Sequence, residues 1–286
     1  MRNLTQWFMA LMMAMSMTTQ AQSLSSVTVA GHDHPPSSPI LIQGPMPIEA
    51  EHFASLLQGV VMEQVGPYLF YRGTLNGYPV IVSQTGKGLE NTAAATAIAI
   101  GRYHPLAIIN QGTAGGHDKQ LKVGDIVLGK RTVNIGNLKT PQRAEGQGVD
   151  ALAWLPMDIM ASAGSAGGDD ANKIRYYEGS QPLIDIARQV AYARGKVVEG
   201  TVGSANFWNS EVDRINWFHR EFGTSVEEME GAAAAQIADA FQIPFLSIRI
   251  LSNNLTNGGH YDPKTGEACQ LFVKGVVERY IASLPR

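Results

Sequence analysis

From Pro39 onward, short apolar runs alternate with amphipathic or small-residue stretches, and turn-forming residues separate them. Pro39–Gln43 reads as a short apolar strand, Gly44-Pro45-Met46-Pro47 as a turn, and Ile48–Leu57 as a helix with Glu49 and Glu51 in its first turn. Tyr68–Leu75 and Tyr78–Ser83 flank Asn76-Gly77, a pair that adopts the left-handed conformations of a tight turn, so an antiparallel hairpin is predicted. Behind the loop Gln84–Gly88, Leu89–Tyr103 reads as a helix. Pro105–Asn110 reads as a strand that ends in the small-residue loop Gln111–Gly116. Leu121–Asp125 then turns back into a strand at Ile126–Gly129, and an amphipathic helix (Ser180–Gly195), a strand (Lys196–Gly200) and a helix (Glu211–Phe222) follow.

The most clearly patterned stretch is Ser225–Asn254. Its run Ala232–Ala235 combines high helix propensity with little side-chain volume, which suits a helix, Gly231–Phe241, pressed closely against a sheet. After a turn at Gln242–Pro244, Phe245–Leu251 is β-branched, aromatic and too short for a helix, so it reads as a buried strand. A tail helix, Gly266–Leu284, is amphipathic around Phe272, Val276 and Tyr280. Alternating strands and helices, with roughly seven strands and one hairpin, predict a single α/β domain over residues 39–286, a mixed central sheet flanked by helices.

Two stretches break the pattern. Arg2, the apolar run Trp7–Met17 and the small residues around Thr19-Gln20-Ala21 have the order of a secretory signal peptide, expected to span residues 1–21. The run is shorter than the roughly 20 residues of a membrane span. Gln22–Ser38, with His32, His34 and two prolines, is expected to be a flexible lead-in. Asn137–Ala171 has no stable periodicity and is expected to be a surface excursion or a lid. The expected location is therefore periplasmic or secreted, with no membrane attachment once the signal is removed.

Composition changes this picture little. The 286 residues are 44% hydrophobic, enough for a substantial core, and a formal charge of −3 with no basic block points away from nucleic acid as a partner. Cys269 is alone, which excludes an intramolecular disulfide and a cysteine-based metal site. The Gln84–Gly88 loop could hold an anion at a helix start through its backbone N–H groups. It matches neither the dinucleotide nor the triphosphate pattern, because no Ser or Thr follows Lys87 in frame. With no HExxH, no serine elbow and no acid-rich divalent cluster, neither a metal nor a cofactor is expected.

Candidate chemistry gathers where strands end. Ligands of open α/β sheets sit beyond the carboxyl ends of the strands. There the pattern places Glu49, the loop containing Thr113, Ala114 and Gly115, and the Phe207-Trp208 pair. It also places Glu227, Glu228 and Glu230 at the mouth of the alanine helix, and Arg249 on a strand that ends in Ser252-Asn253-Asn254.

In order, GPMPIEAE, the QTGKG loop, NQGTAGG with LKVGDIV, and EEMEGAAAAQIADAFQIPFLSIRILSN resemble the nucleoside phosphorylase/nucleosidase superfamily. The set is most similar to its bacterial 5′-methylthioadenosine/S-adenosylhomocysteine nucleosidases, and the resemblance covers most of Pro39–Leu284. It implies a nucleoside phosphorylase-like fold and a purine nucleoside as the small-molecule ligand. It implies hydrolysis of the N-glycosidic bond, and a homodimer. Position by position, it implies that Glu49 activates water, with Arg249 nearby. Thr113, Ala114 and Gly115 line the ribose and base, Phe207 stacks on the base, and Glu228, Met229 and Glu230 surround the sugar, with Glu230 accepting from its hydroxyls. Ser252 supports the next residue, an aspartate in the family that protonates purine N7. Here that position is Asn253.

An amide cannot deliver a proton, although it can donate one hydrogen bond and accept another. General-acid transfer contributes about 10²–10⁴-fold, so the change implies either a shift towards inosine- or guanosine-like substrates or a weakened enzyme. Family phosphorylases surround phosphate with arginines. Here the first turn has none, and Arg102 lies well inside a helix, so water is the expected nucleophile. Phosphorolysis and low-turnover nucleoside binding are the alternatives.

Overall fold

A computed structural model describes residues 38–160 and 173–285. The expected signal peptide, all but the last residue of the lead-in, and residues 161–171 of the excursion lie outside these described residues. Among the described residues, six α-helices and ten principal strands follow one another. They are β1 (Ile40–Gly44), α1 (Pro47–Ser55), β2 (Gln58–Val65), β3 (Tyr68–Leu75), β4 (Tyr78–Gln84), α2 (Leu89–Tyr103), β5 (Ala107–Gly116) and β6 (Ile126–Asn134). Next come β7 (Tyr176–Glu178), α3 (Gln181–Ala187), β8 (Val197–Ser204), α4 (Val212–Phe222), β9 (Thr224–Glu228), α5 (Gly231–Ala240), β10 (Phe245–Asn253) and α6 (Lys264–Ser283).

All ten strands join one mixed sheet in the order β7-β6-β8-β9-β5-β1-β4-β3-β2, and β10 bonds to both β5 and β6. That extra strand closes a ring. β5 pairs with β10, β10 with β6, β6 with β8, β8 with β9, and β9 returns to β5. Beyond the ring, β1 and the β2–β4 meander extend the sheet as an open wing. β5 can belong to both parts because its first residues pair with β1, Ala107 through Asn110, and its last two with β9.

Strand alternation sorts the core into two faces. Ile40 and Ile42 of β1 and Ala107 and Ile109 of β5 point towards α1, α3 and α6, where Phe53, Leu183, Phe272 and Val276 cover them. Leu41 and Ile108 point the other way, into a cluster with Ala99 and Ile100 of α2 and Ala234, Ala235 and Ala238 of α5. The alanines let α5 lie close to the sheet, as its composition predicts. Each fully buried isoleucine or phenylalanine contributes about 1.5–3 kcal/mol. A separate aromatic cluster, Trp217, Phe218 and Phe222, fastens α4 to Val133, Ile135 and Ala205.

The hairpin and α2 lie where the sequence pattern places them. Three features differ. The small-residue segment Gln111–Gly116 is not a loop, because β5 runs through it, paired with β10 and then β9. Two strands have no alternating signature. β2 is an edge strand exposed along most of its length, and β9 is acidic at its end. The helix expected over Ser180–Gly195 stops at Ala187, and beyond it the Tyr192 hydroxyl donates to the Gly124 carbonyl at 2.6 Å, holding the chain in a non-helical return. Within the excursion, Leu138–Lys139 pairs with Leu155–Pro156, and Ile159–Met160 with Lys173–Ile174.

Gly44 marks where β1 hands over to α1. A Cβ there would overlap the backbone carbonyl of Glu49, which cannot rotate away. Gly44→Ala is expected to lower stability by about 1–3 kcal/mol, as overpacking does, and to reduce turnover by moving α1. Urea melts read the first effect, and an unchanged midpoint would contradict the tight handover.

Candidate active site

The cavity of about 260 Å³ that carries the candidate residues lies at the carboxyl ends of β5, β8 and β10. Glu49, Thr113, Ala114, Gly115, Phe207, Glu228, Met229, Glu230, Ser252 and Asn253 all line it. Lys87 and Trp208 line it too, together with Pro45, Met46, Asn209, Glu227 and Tyr261. Arg249 differs. Expected beside the water, it is fully buried and absent from the cavity lining.

Glu49 owes its position to Pro47, which opens α1 with a fixed φ at a position where a missing N–H costs nothing. Its side chain is 1% exposed. Oε1 accepts from both the Thr113 N–H and the Thr113 hydroxyl, each at 2.7 Å. Oε2 has no partner among the described protein atoms. Burial raises the pKa of Glu49 above the ordinary carboxylate range, while the two Thr113 bonds and the Arg249 charge pull it back. Such a carboxyl is closer to the poise a general base needs than an exposed one.

Two of the glutamates near the alanine helix, Glu228 and Glu230, take distinct roles. Glu228 faces inward: it forms an ion pair with Arg249, accepts from the Ser204 hydroxyl, and accepts from the N–H groups of Glu230 (3.0 Å) and Gly231 (2.8 Å). It thereby satisfies free N–H groups at the start of α5, where the helix dipole favours negative charge. Glu230 reaches across to α2, its Oε1 accepting from the Gly88 N–H at 3.0 Å. The glycine loop expected to hold an anion thus holds one of the chain's own carboxylates. Burial and the nearby Glu228 charge push the Glu230 pKa up to about 8, against the opposing pull of Arg249 and the Gly88 bond.

Arg249 acts from behind the wall. Its Nη2 donates to Asn110 of β5 and pairs with Glu228. A Cβ on Gly112 would lie 2.5 Å from Arg249 Nη1 and 2.9 Å from Glu49 Oε1, so only glycine lets these groups approach across β5. That close approach is one reason a glycine-rich segment serves as a strand here.

At the other end, the Ser252 hydroxyl donates to Asn253 Oδ1 at 2.9 Å. Asn253 Nδ2 therefore keeps its two hydrogens for other acceptors. Phe207 stacks on Phe218 (5.6 Å between centroids, 17° between planes), which leaves its second face for the cavity. Trp208 meets Tyr261 edge-on at 6.3 Å. Sequence reasoning missed Tyr261 because nothing in its neighbourhood carries a motif. Glu227 stood in plain view, but only the fold turns it towards this cavity.

The arrangement is that of an α/β protein with a carboxylate-lined, aromatic-walled pocket of the size that takes a small molecule. The chain belongs to the Phosphorylase superfamily, whose profile matches residues 39–282. It is 28% identical over 246 residues to the 5′-methylthioadenosine/S-adenosylhomocysteine nucleosidase of Shewanella pealeana, covering 83% of this chain and 98% of that one. It is also similar to two solved nucleosidases of the same name. That of Colwellia psychrerythraea 34H, in complex with adenine, gives a TM-score of 0.68 at 25% identity, covering 85% of this chain and 96% of that one. That of Neisseria meningitidis, in complex with methylthio-immucillin-A, gives 0.67 at 25% identity, covering 86% and 100%.

Removing one partner of a buried pair strands the other charge. Glu228→Gln is expected to cost about 3–5 kcal/mol in denaturant melts, and a loss under about 1 kcal/mol would contradict the role given to the pair. A second expectation concerns pH. Folded Glu230 keeps its proton up to about 8, against 4.5 for the free side chain. Between those values the native chain binds a proton that the unfolded chain has lost, so this group's contribution to stability falls as pH rises. The melting-temperature difference between Glu230→Gln and the parent should therefore shift in favour of the variant from pH 5 to pH 8. A difference independent of pH would refute it.

Proposed function

We propose that this protein is a purine nucleosidase, which hydrolyses the N-glycosidic bond of a 5′-substituted purine nucleoside of the methylthioadenosine/adenosylhomocysteine type. The observation that carries the reading is Glu49: a buried carboxyl with one oxygen fixed by Thr113 and the other unpartnered among the described atoms, on the wall of the cavity. Oε2 of Glu49 orients water and takes its proton. The water oxygen bonds to the sugar's anomeric carbon as the bond to the base nitrogen breaks, and the base leaves with that electron pair. Glu230 accepts from the ribose hydroxyls, which holds the sugar in place. Phe207 stacks on the base and Met229 packs by the sugar. Thr113, Ala114 and Gly115 shape the floor, and the Asn253 amide donates to purine N7, drawing charge off the leaving base. Arg249 positions Glu228 and tunes Glu49 without touching the ligand.

Water is favoured over phosphate by the electrostatics of the lining. Among the described residues that line the cavity, Lys87 is the one lysine or arginine, whereas Glu49, Glu227, Glu228 and Glu230 are all acidic. A phosphate dianion would find no cluster of cations there.

Export to the periplasm or beyond belongs to the same proposal, supported by the order of residues 1–21. So does a homodimer, with a partner copy closing the 5′ end. Trp208, 63% exposed and part of the cavity lining, suits that arrangement.

Incubation with methylthioadenosine, adenosylhomocysteine, adenosine and inosine, with and without phosphate, tests the reading by chromatography of free base. Release is expected without phosphate. Release that requires phosphate, or none from any nucleoside, sinks it. Glu49→Gln should lower kcat by about 10²–10⁴-fold with KM little changed, since it removes a proton acceptor and not a binding surface.

A further inference from the structure

Next to the cavity lies a second one of about 310 Å³, and the two share Gly115, Asn209, Glu227 and Asn253 in their linings. Glu227 stands at this junction, on β9 just before Glu228, yet it takes no part in the network of Glu228 and Glu230. It is held from the far side. Its Oε2 lies 2.9 Å from Nε2 of His117, and its Oε1 accepts from the Asn209 N–H at 3.1 Å. His117 is itself fixed: Nδ1 lies 2.7 Å from the Thr224 hydroxyl, and the ring stacks on Phe218 at 6.0 Å with 7° between planes. It is 2% exposed. With Nε2 donating to the carboxylate, Nδ1 accepts from Thr224, so the histidine holds Glu227 in one orientation. A carboxyl accepting one bond at each oxygen still has lone pairs to offer.

Glu227 and Asn253 flank the same residue. The sheet register pairs Gly115 with Glu227 on one side and with Asn253 on the other. A Cβ on Gly115 would lie 3.3 Å from Asn253 Nδ2 and 3.9 Å from Glu227 Cγ. The end of the cavity therefore presents a donor and an acceptor side by side: the Asn253 NH2, freed by the Ser252 bond to Oδ1, and the Glu227 carboxyl.

We propose that Glu227, held by His117, selects the base by accepting a hydrogen bond from a 6-amino group, and so makes the enzyme prefer 6-aminopurine over 6-oxopurine nucleosides. The inference deepens the nucleosidase reading and rests on it. Negative charge grows on the five-membered ring as the glycosidic bond breaks, so the donor belongs at N7. With N7 on Asn253, the next group round the purine edge is the substituent at C6. An amino group there donates to Glu227. A carbonyl oxygen would set lone pair against lone pair. The donation to N7 that an aspartate makes in the resembled family falls here to the asparagine, and the glutamate adds an acceptor beside it. On this assignment Asn253 does not by itself shift the preference towards inosine-like substrates.

The test compares kcat/KM for adenosine, inosine and purine riboside, which has no group at C6. The wild type should favour adenosine over inosine by about tenfold to a hundredfold, the range for a hydrogen bond to a charged group, with purine riboside between them. Glu227→Gln should shrink the adenosine-to-inosine ratio about tenfold or more, because an amide can turn to donate to a 6-oxo group. A purely structural role would lower all three rates together and leave the ratio unmoved. A ratio unchanged within about twofold, or a wild type that favours inosine, overturns the proposal. Should the variant fail to fold, competition by free adenine, hypoxanthine and purine on the wild-type protein decides. Adenine is expected to bind tightest, and equal binding of hypoxanthine overturns the assignment. Failure of the nucleosidase reading is distinct, since then no nucleoside is cleaved, whatever its base.

Discussion

A buried ion pair ties four strands of the ring together. Arg249 projects from β10 and reaches Asn110 on β5 and Glu228 at the end of β9, and Glu228 accepts from Ser204 at the end of β8. The same carboxylate caps α5 through the N–H groups of Glu230 and Gly231. Burying two charges is costly in a low-dielectric interior, and the cost is offset only where geometry and hydrogen bonds are good. Here the pair sits where four strands and a helix converge, so the register of each strand is tied to the others. Shifting any one by a residue would turn its side chain to the opposite face and break the arrangement.

That pair also sets the electrostatics of the cavity. Glu49 and Glu230 are both buried and both pushed towards their neutral forms, and in each case the Arg249 charge opposes the push. One guanidinium therefore moderates a carboxyl at the water end and another at the sugar end without touching the ligand. Gly112 makes this possible, because any larger residue on β5 would separate Arg249 from Glu49. The backbone choice, the charge placement and the chemistry are consequences of one close approach.

The base end is organised differently, by hydrogen bonds and aromatic stacking without a buried arginine. Ser252 fixes the Asn253 amide. The stacked series His117, Phe218 and Phe207 runs from the second cavity to the wall of the first. α4 supplies the middle ring of that series, so the helix that closes the aromatic core also orients the surface on which a base would lie. Specificity and stability draw on the same side chains at this end, whereas at the sugar end they draw on the same charges.

By itself, the sequence determined whatever depends on neighbours along the chain. Asn76-Gly77 dictated the hairpin, the small-residue periodicity dictated α2 and α5, and the apolar run after Pro244 dictated β10. The ordered motifs singled out the residues that line the cavity. Only the tertiary structure decided the rest. β2 and β9 carry no alternation because one is an exposed edge and the other ends in side chains committed to the site. Gln111–Gly116 reads as a loop until β9 and β10 supply ladder partners on either side. Arg249 is expected beside the water until burial places it behind the wall, and Glu227 reads as one more acid at a helix mouth until the fold sets it against His117. Those roles rest on contacts between residues more than a hundred positions apart, and local patterning carries no information about which distant partner a charge will meet.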